Sequence, residues 1–173
     1  MQVRKATPDD AAAIARAHTR TWQSSYTHIL PSDALAQLSE EGRAARWSEI
    51  LSSEPRAERT FVAERDGEVV GFVSIGAARD EAPDVGELRA IYVLPESSGA
   101  GVGRALMAEA LAHLREKEFR EAILWVIEDN PRTRRFYELT GWRADGGLME
   151  EEWLGTPVRE VRYRIVLVAR EDS

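Results

Sequence analysis

The stretch from Leu88 to Leu106 reads Leu-Arg-Ala-Ile-Tyr-Val-Leu-Pro-Glu-Ser-Ser-Gly-Ala-Gly-Val-Gly-Arg-Ala-Leu, and it decides the fold. Its apolar first part ends at Val93 and predicts a buried strand, which Pro95 terminates. A loop of small residues follows and leads into an amphipathic helix, because the next apolar positions repeat with helical spacing. These positions are Gly103, Leu106, Met107, Ala110, Leu111 and Leu114.

Three glycines give this loop its chemical character. Gly99, Gly101 and Gly103 have no Cβ, so the backbone can adopt positive φ and several N–H groups can converge on one anion. The first N–H groups of the following helix have no partner within the helix, and the helix dipole adds positive charge there. We therefore predict a phosphate cradle, against the alternative of a flexible strand-to-helix loop, since glycine clusters are common in loops.

The spacing of the loop restricts which phosphate ligand fits. A Walker loop needs Lys and then Ser or Thr after its last glycine, whereas Arg104 and Ala105 follow Gly103. A dinucleotide fingerprint needs a small residue three positions after Gly103, where the chain has Leu106. The Walker interpretation fails, and the dinucleotide interpretation is weak.

Two segments, Val93 to Gly103 and Asn130 to Trp142, together resemble motifs of the GNAT superfamily of N-acetyltransferases. The segment from Val93 to Gly103 resembles the family's acetyl-CoA signature, Gln or Arg-x-x-Gly-x-Gly or Ala, but Ser98 stands where Gln or Arg is usual. The segment from Asn130 to Trp142 resembles Asn-x-x-Ala-x-x-x-Tyr-x-x-x-Gly-Phe, with Thr133 in place of Ala and Trp142 in place of Phe. Together the motifs cover roughly the central and later half of the chain.

The resemblance implies both a fold and a reaction. The implied fold is α/β (α+β), a central mixed and mostly antiparallel sheet flanked by helices, with acetyl-CoA in a cleft between the fourth and fifth strands. The implied activity moves the acetyl group of acetyl-CoA directly to an amine of a small molecule or peptide. One rival is a catalytically silent acyl-CoA-binding sensor, and another is a protein that binds a different nucleotide phosphate.

By the same resemblance, Tyr137 is the general acid that protonates the departing thiolate. A phenol with a pKa of about 10 can take this role, and such proton transfer contributes a factor of about 10² to 10⁴ in rate. The alternative is that Tyr137 merely packs beside Phe136.

The resemblance also places cofactor contacts along the strand, the loop and the next helix. Backbone groups of Ile91 and its neighbours would bind the pantetheine arm and supply an oxyanion donor. Arg132, Arg134 and Arg135 could meet phosphates, although a solvated face explains them equally well. The expected cofactor-binding residues are Ile91, Tyr92, Val93, Ser98, Gly99, Ala100, Gly101, Val102, Gly103, Arg104 and Asn130.

An amine must be neutral to attack, so a proton acceptor is expected. Our candidate is Glu87, which precedes the cofactor strand and, by period-two alternation, shares a face with Arg89 and Ile91. The alternative role of Glu87 is an ion pair with Arg89 or another neighbour. Glu128 is the second candidate for the base.

Aromatic side chains are expected on the acceptor side. Trp22 and Tyr26 lie one helical turn apart just before Leu30-Pro31, and by resemblance they line the substrate, while core packing is an equal alternative. His18 lies on the inward face of the same helix and is expected to be a core histidine.

Composition restricts the class of protein. We expect 173 residues to form one domain, residues 1–173, and the lack of a long apolar run or leader suggests a soluble cytoplasmic protein without membrane attachment. No cysteine is present and the three histidines form no zinc pattern, so no metal is expected. A net charge of −7 argues against nucleic-acid binding and favours a cationic amine.

The remaining elements follow in order along the chain. Thr7-Pro8-Asp9-Asp10 predicts a capped helix start after a strand at 2–6, and Asp66-Gly67 predicts a hairpin between strands 60–64 and 68–76. The other predicted elements are helices at 32–38, 42–51 and 130–141, parallel neighbouring strands at 87–93 and 121–127, and final strands at 142–153 and 158–168. The edges of these last strands are compatible with a homodimer.

Overall fold

A computed structural model describes residues 1–55 and 57–168. These residues form a seven-stranded sheet with helices on both faces. The strands are β1 (Gln2–Lys5), β2 (Arg59–Arg65), β3 (Glu68–Ala77), β4 (Val85–Val93), β5 (Glu121–Ile127), β6 (Arg143–Trp153) and β7 (Thr156–Val166). The helices are α1 (Ala11–Ser25), α2 (Ser32–Ala36), α3 (Glu40–Ser53), α4 (Val102–Glu116) and α5 (Pro131–Leu139).

The sheet is mixed and mostly antiparallel, as predicted. Its strand order is β1-β2-β3-β4-β5-β7-β6, and only the β4–β5 pair is parallel. The chain crosses from β4 to β5 through α4, as expected for a parallel pair. β7 pairs with β5 along the full length of β5 and lies between β5 and β6, so β6 is an edge strand.

Local sequence signals form the expected turns. Asp66 and Gly67 both have positive φ, 53° and 81°, and close the β2–β3 hairpin. The backbone N–H of Thr7 donates to the Asp10 carboxylate at 2.8 Å, which confirms the capping box. The first turn, Pro8–Asp10, is a 3-10 turn, so α1 itself begins at Ala11.

Two apolar layers cover the faces of the sheet. On one face, α4 packs over β3 and β4, with fully buried side chains such as Leu106, Leu114 and Ile75. On the other face, α1 and α3 pack over Phe72 and Val62. A smaller apolar cluster consists of Tyr26, Leu30, Leu35, Ile127 and Val158.

A bulge in β4 separates it from β5. Ser74 of β3 pairs with Ala90 while Ile75 pairs with Leu88, so Arg89 is an extra residue in β4. β4 pairs with β5 only from Val85 to Glu87, and beyond this point the two strands diverge. Bulges bend strands in this manner and are common beside active sites.

The bulge also reverses which residues share a face. Gly86 and Leu88 face α4, and after the bulge Ile91 and Val93 face α4 again. Glu87 therefore lies on the opposite face, with Ala90 and Tyr92. The prediction that Glu87 shares a face with Ile91 is wrong, because alternation does not continue through a bulge.

Gly71 lets β3 approach the diverging end of β4. A Cβ at this position would lie 2.9 Å from the Tyr92 carbonyl oxygen, which is backbone and cannot rotate away. We expect Gly71→Ala to reduce the free energy of unfolding by about 1–3 kcal/mol through overpacking. Urea unfolding followed by circular dichroism measures this change.

Gly42→Ala is the matched control. Gly42 lies in α3, and its nearest neighbour to an added Cβ is the Ser39 hydroxyl at 3.5 Å, an ordinary contact. Alanine there should increase stability by about 0.4–1 kcal/mol, since it lowers the entropy of the unfolded chain. Equal effects of the two substitutions would contradict the steric role of Gly71.

Candidate active site

A cleft of about 1380 Å³ opens where β4 and β5 diverge. Residues Leu88 to Val93 form one wall and Trp125 to Ile127 form the other. Among the described residues, the edge of β4 that faces the cleft has no strand partner after Glu87. Its backbone N–H and C=O groups are therefore available to an extended ligand, which could bind as an added strand.

The glycine loop closes one end of the cleft. Gly99 and Gly101 have φ of 81° and 82°, and Gly101 is the N-cap residue of α4. Gly103 lies inside the helix rather than at positive φ, and a Cβ on it would meet the Phe136 ring at 3.3 Å. The predicted positive φ is therefore present at Gly99 and Gly101, whereas Gly103 leaves room for the Phe136 ring.

Not every predicted cofactor residue lines the cleft. Of the eleven, the lining contains nine: Ile91, Tyr92, Val93, Ser98, Gly99, Gly101, Gly103, Arg104 and Asn130. Ala100 is exposed away from the cleft, and the Val102 side chain is buried against the core. Any contact that these two make with a ligand would come from their backbone.

An arginine from α5 reaches the glycine loop. The Arg132 guanidinium donates to the Ser98 hydroxyl at 2.9 Å, so a positive charge lies beside the loop position where the family usually carries Gln or Arg. Arg104 also lines the cleft. Arg134 is bound instead to the Tyr163 hydroxyl at 3.0 Å, and Arg135 lies near Glu138 outside the cleft.

Tyr137 lines the cleft from α5. Its residue is 6% exposed, and within residues 1–55 and 57–168 its hydroxyl has no hydrogen-bond partner. Burial raises the pKa of Tyr137 above its ordinary value, so the hydroxyl keeps its proton. Asn130, the N-cap residue of α5, accepts from the Thr133 backbone N–H at 3.4 Å.

Aromatic side chains form another part of the cleft wall. Tyr26, Tyr92 and Trp153 line it, whereas Trp22 lies behind Trp153, stacked at 4.8 Å between ring centroids. The Trp22 indole N–H donates to the Tyr92 hydroxyl at 3.1 Å, and the Arg43 guanidinium lies 4.6 Å from the Trp22 ring centre. Trp22 therefore supports the wall, and Tyr26 forms part of it.

His18 is part of this aromatic packing. The Trp47 indole N–H donates to its Nδ1 at 3.3 Å, and its ring stacks on Tyr92 at 5.1 Å between centroids. Burial, helped by the nearby Arg43 charge, lowers the pKa of His18 to about 3. The neutral ring fits the core role predicted for it.

Glu87 faces the cleft but is engaged in an ion pair. Its carboxylate accepts from the Arg79 guanidinium at 3.1 Å and from the Arg79 backbone N–H at 3.3 Å. Arg89 points instead to Glu58 and the Ala77 carbonyl. The alternative role considered for Glu87, an ion pair with a neighbour, is therefore present, and the partner is Arg79.

The structure brings in one acidic residue that sequence reasoning missed. Glu160 of β7 lines the cleft, is 5% exposed and has no hydrogen-bond or ion-pair partner among the described residues. Burial and the nearby Glu151 raise its pKa to about 7. The signal in the sequence was slight: Glu160 is two residues from the buried Val158, on the same face of a strand.

Glu128 is placed differently from Glu160. It is exposed, forms an ion pair with Arg159 at 3.8 Å and is not part of the cleft lining. Its carboxylate therefore faces solvent beside a cation, and Glu160 is the better placed acid near the β5 wall.

Comparison with known proteins identifies the class. Residues 14–142 match the Acetyltransferase (GNAT) family, so the chain belongs to this family. The match confirms the resemblance drawn from the two motifs. The protein is therefore an acetyltransferase, and the curated relatives reported below are named N-acetyltransferases.

Similar proteins support this class. The uncharacterized N-acetyltransferase YuaI of Bacillus subtilis is 38% identical over 132 residues, which cover 75% of this chain and 73% of YuaI. The probable N-acetyltransferase Rv2775 of Mycobacterium tuberculosis is 30% identical over 95% of this chain and 93% of its own length. The structure of yncA from Salmonella typhimurium with acetyl-CoA has a TM-score of 0.75 at 20% identity, over 100% of this chain and 97% of yncA, and shares the fold.

Two further features concern the described ranges, 1–55 and 57–168. No group of three or more His, Cys, Asp or Glu side chains is arranged there to hold a metal ion. None of the helices in these ranges combines the length and apolar character that crossing a bilayer requires.

The raised pKa of Glu160 predicts a pH-dependent stability. Between its ordinary value of 4.5 and about 7, the folded state binds more protons at Glu160 than the unfolded state does. Stability from this group therefore falls as pH rises through that window and stays low above it. We expect the free energy of unfolding of Glu160→Gln to increase relative to wild type between pH 5 and pH 8.

Urea unfolding of both proteins at pH 5 and pH 8 measures this difference. Glu152→Gln is the control, because Glu152 is an exposed acid on β6 that does not line the cleft. Parallel pH profiles of wild type and Glu160→Gln would contradict a raised pKa at Glu160.

Proposed function

We propose that this N-acetyltransferase moves the acetyl group of acetyl-CoA directly to an amine of a small molecule or peptide. The observation that carries this proposal is the joining of three features in one cleft. They are the unpaired edge of β4, the glycine loop at the start of α4 and the unpartnered hydroxyl of Tyr137.

The cofactor has a natural path through the cleft. Its pyrophosphate would bind the N–H groups around Gly99 and Gly101, with Arg104 and Arg132 adding positive charge. Its pantetheine arm would run along β4 from Val93 toward Ile91, hydrogen-bonded as an added strand. This orientation brings the thioester toward the point where β4 and β5 meet.

The acetyl transfer then uses the amine nitrogen, a backbone N–H of β4 and the Tyr137 hydroxyl. The amine nitrogen bonds to the thioester carbonyl carbon, and a backbone N–H of β4 near Ile91 stabilises the oxyanion, a contribution of about 3 kcal/mol for one such donor. The C–S bond then breaks, and Tyr137 gives its proton to the thiolate. Because burial keeps the Tyr137 hydroxyl protonated, it is in the correct state for this role.

Glu160 is the best placed proton acceptor for the amine. Glu87 already accepts two hydrogen bonds from Arg79, so its carboxylate is engaged in an ion pair and is not free to meet the amine. Glu160 has no such partner in the part of the chain that the structure describes, and its pKa of about 7 lies near neutral pH, where a general base is most effective. Glu87 then serves to hold Arg79 at the cleft.

Tyr137→Phe tests the general acid. We expect thiol release from acetyl-CoA to fall about 10²- to 10⁴-fold in kcat, while the Kd for acetyl-CoA changes little, because only the proton donor is removed. Release with a panel of amines is followed by a thiol reagent, and binding is followed by calorimetry. Tight binding without release for any amine by the wild type would instead favour a sensor.

Tyr163→Phe is the control for this test. The Tyr163 hydroxyl donates to Glu138 and accepts from Arg134, outside the cleft lining. This variant removes one buried tyrosine hydroxyl without touching the proposed acid. An equal fall in kcat for both variants would contradict a chemical role for Tyr137.

Arg132→Ala tests the charge beside Ser98. We expect the Kd for acetyl-CoA to rise about 10-fold, in line with the loss of one charge-assisted contact to a phosphate. The Kd for acetyl-pantetheine, which lacks the pyrophosphate, should not change. Arg135→Ala, on the same helix but outside the cleft lining, should leave both values unchanged, and an equal effect of the two arginines would refute the role.

A further inference from the structure

The part of the cleft that we assign to the acceptor amine is rich in carboxylates. Glu87, Glu151 and Glu160 all line it, together with Arg79 and Arg89, and Arg89 forms an ion pair with Glu58, which lies outside the lining. The Arg79 guanidinium is already bound to Glu87 at 3.1 Å. This part of the cleft therefore has more negative than positive charge. Within the described ranges, Glu87 alone of these three acids forms an ion pair.

Strand pairing places Glu151 and Glu160 on one surface. The Glu151 carboxylate has no ion-pair partner among the described residues and accepts from the Trp153 indole N–H at 3.4 Å. Glu160 lies opposite Ile127 of β5 and Met149 of β6, and Glu151 lies two residues after Met149. Residues directly opposite and residues two apart face the same side of a sheet. Glu151, Glu160 and Met149 therefore point to the side on which the ring of Trp153 lies.

The environment of Glu160 independently indicates that a ligand binds at this part of the cleft. A carboxylate that is 5% exposed and lacks a partner among the described residues is costly, because burial removes water without supplying a replacement. Its position in the lining means that the side open to it is the cleft. A bound cation would supply the missing partner.

We infer that the acceptor is a cationic amine without a carboxylate next to the reactive nitrogen. Its ammonium binds between Glu160 and Glu151, and its carbon body lies against the face of Trp153. Amines whose neighbouring carboxyl group is absent or converted to an amide fit, and free α-amino acids do not. This inference rests on the proposed function and names the substrate class for it.

The exclusion of α-amino acids follows from charge. Their carboxylate lies two bonds from the nitrogen, so it would be brought close to Glu160 and Glu151 whenever the amine is bound. Arg79 and Arg89 offer little relief, because their charges are already engaged by Glu87 and Glu58. Like charges at such short range in a partly enclosed cleft should weaken binding at least tenfold.

The same arrangement accounts for activation of the amine. The bound ammonium gives one proton to the Glu160 carboxylate, leaving a neutral amine and a carboxylic acid. The neutral amine then forms the C–N bond as the C–S bond breaks, and Tyr137 protonates the sulfur. The proton that the nitrogen loses in this step returns to the Tyr137 oxygen through water, and Glu160 then releases its proton to solvent. The products are therefore the N-acetyl amine, CoA thiol and one proton.

Matched ligands test the inference by binding alone. Phenethylamine, phenylalaninamide and phenylalanine differ only at the group next to the amine, and agmatine, argininamide and arginine form a second set. Calorimetry at pH 8, with and without saturating CoA, gives the Kd for each. We expect the amine and the amide to bind at least tenfold more tightly than the acid in at least one set.

Substitutions show whether the acids cause this preference. Glu160→Gln and Glu151→Gln should reduce the amide-to-acid ratio toward one, whereas Glu152→Gln should leave it unchanged, because Glu152 does not line the cleft. The inference is overturned if the acids bind as tightly as the amides, if no ligand of either set binds, or if the ratio survives both substitutions.

Separate measurements distinguish failure of the substrate-class inference from failure of the proposed function. If acetyl-CoA binds and thiol is released equally well with acids and amides, the function stands and the substrate class is wrong. If acetyl-CoA does not bind, the proposed function fails, while the ranking of ligands measured without CoA still tests the acidic site.

Discussion

The short parallel pairing between β4 and β5 controls the rest of the structure. Only three residue pairs, from Val85–Glu121 to Glu87–Ile123, join the two strands before they diverge. β5 is held on its other side by β7, and Gly86 lets Leu114 and Phe119 pack closely where the strands are still joined. The opening beyond Glu87 therefore lies in a firmly packed frame, and the backbone edge that it leaves unpaired is the main feature of the cleft.

The bulge at Arg89 determines which β4 side chains point to each face of the sheet. After it, Ile91 and Val93 pack toward α4, while Tyr92 turns toward α1 and is fixed there by Trp22 and His18. One strand thereby offers backbone to the proposed cofactor path and a side chain to the proposed acceptor wall. A regular strand would align these side chains differently, because alternation would continue without interruption.

Charges of opposite sign line different parts of the cleft. Arg104 and Arg132 lie at the glycine loop with its backbone N–H groups, whereas Glu151 and Glu160 line the cleft from β6 and β7. An unpartnered buried acid lowers stability, and proteins keep such groups mainly where function uses them. The arrangement suits the proposed reaction between an anionic cofactor and a cationic amine.

The sequence alone determined the features that depend on neighbours in the chain. These features include the Asp66-Gly67 hairpin, the Thr7 capping box, the glycine loop and the position of Tyr137 in its helix motif, because local backbone preferences and short spacings encode them. Only the tertiary structure decided the burial of Glu160, the pairing of Arg132 with Ser98 and the place of Trp22 behind Trp153. These contacts join residues that are far apart in sequence, so their geometry depends on strand order and on one bulge, which no local pattern contains.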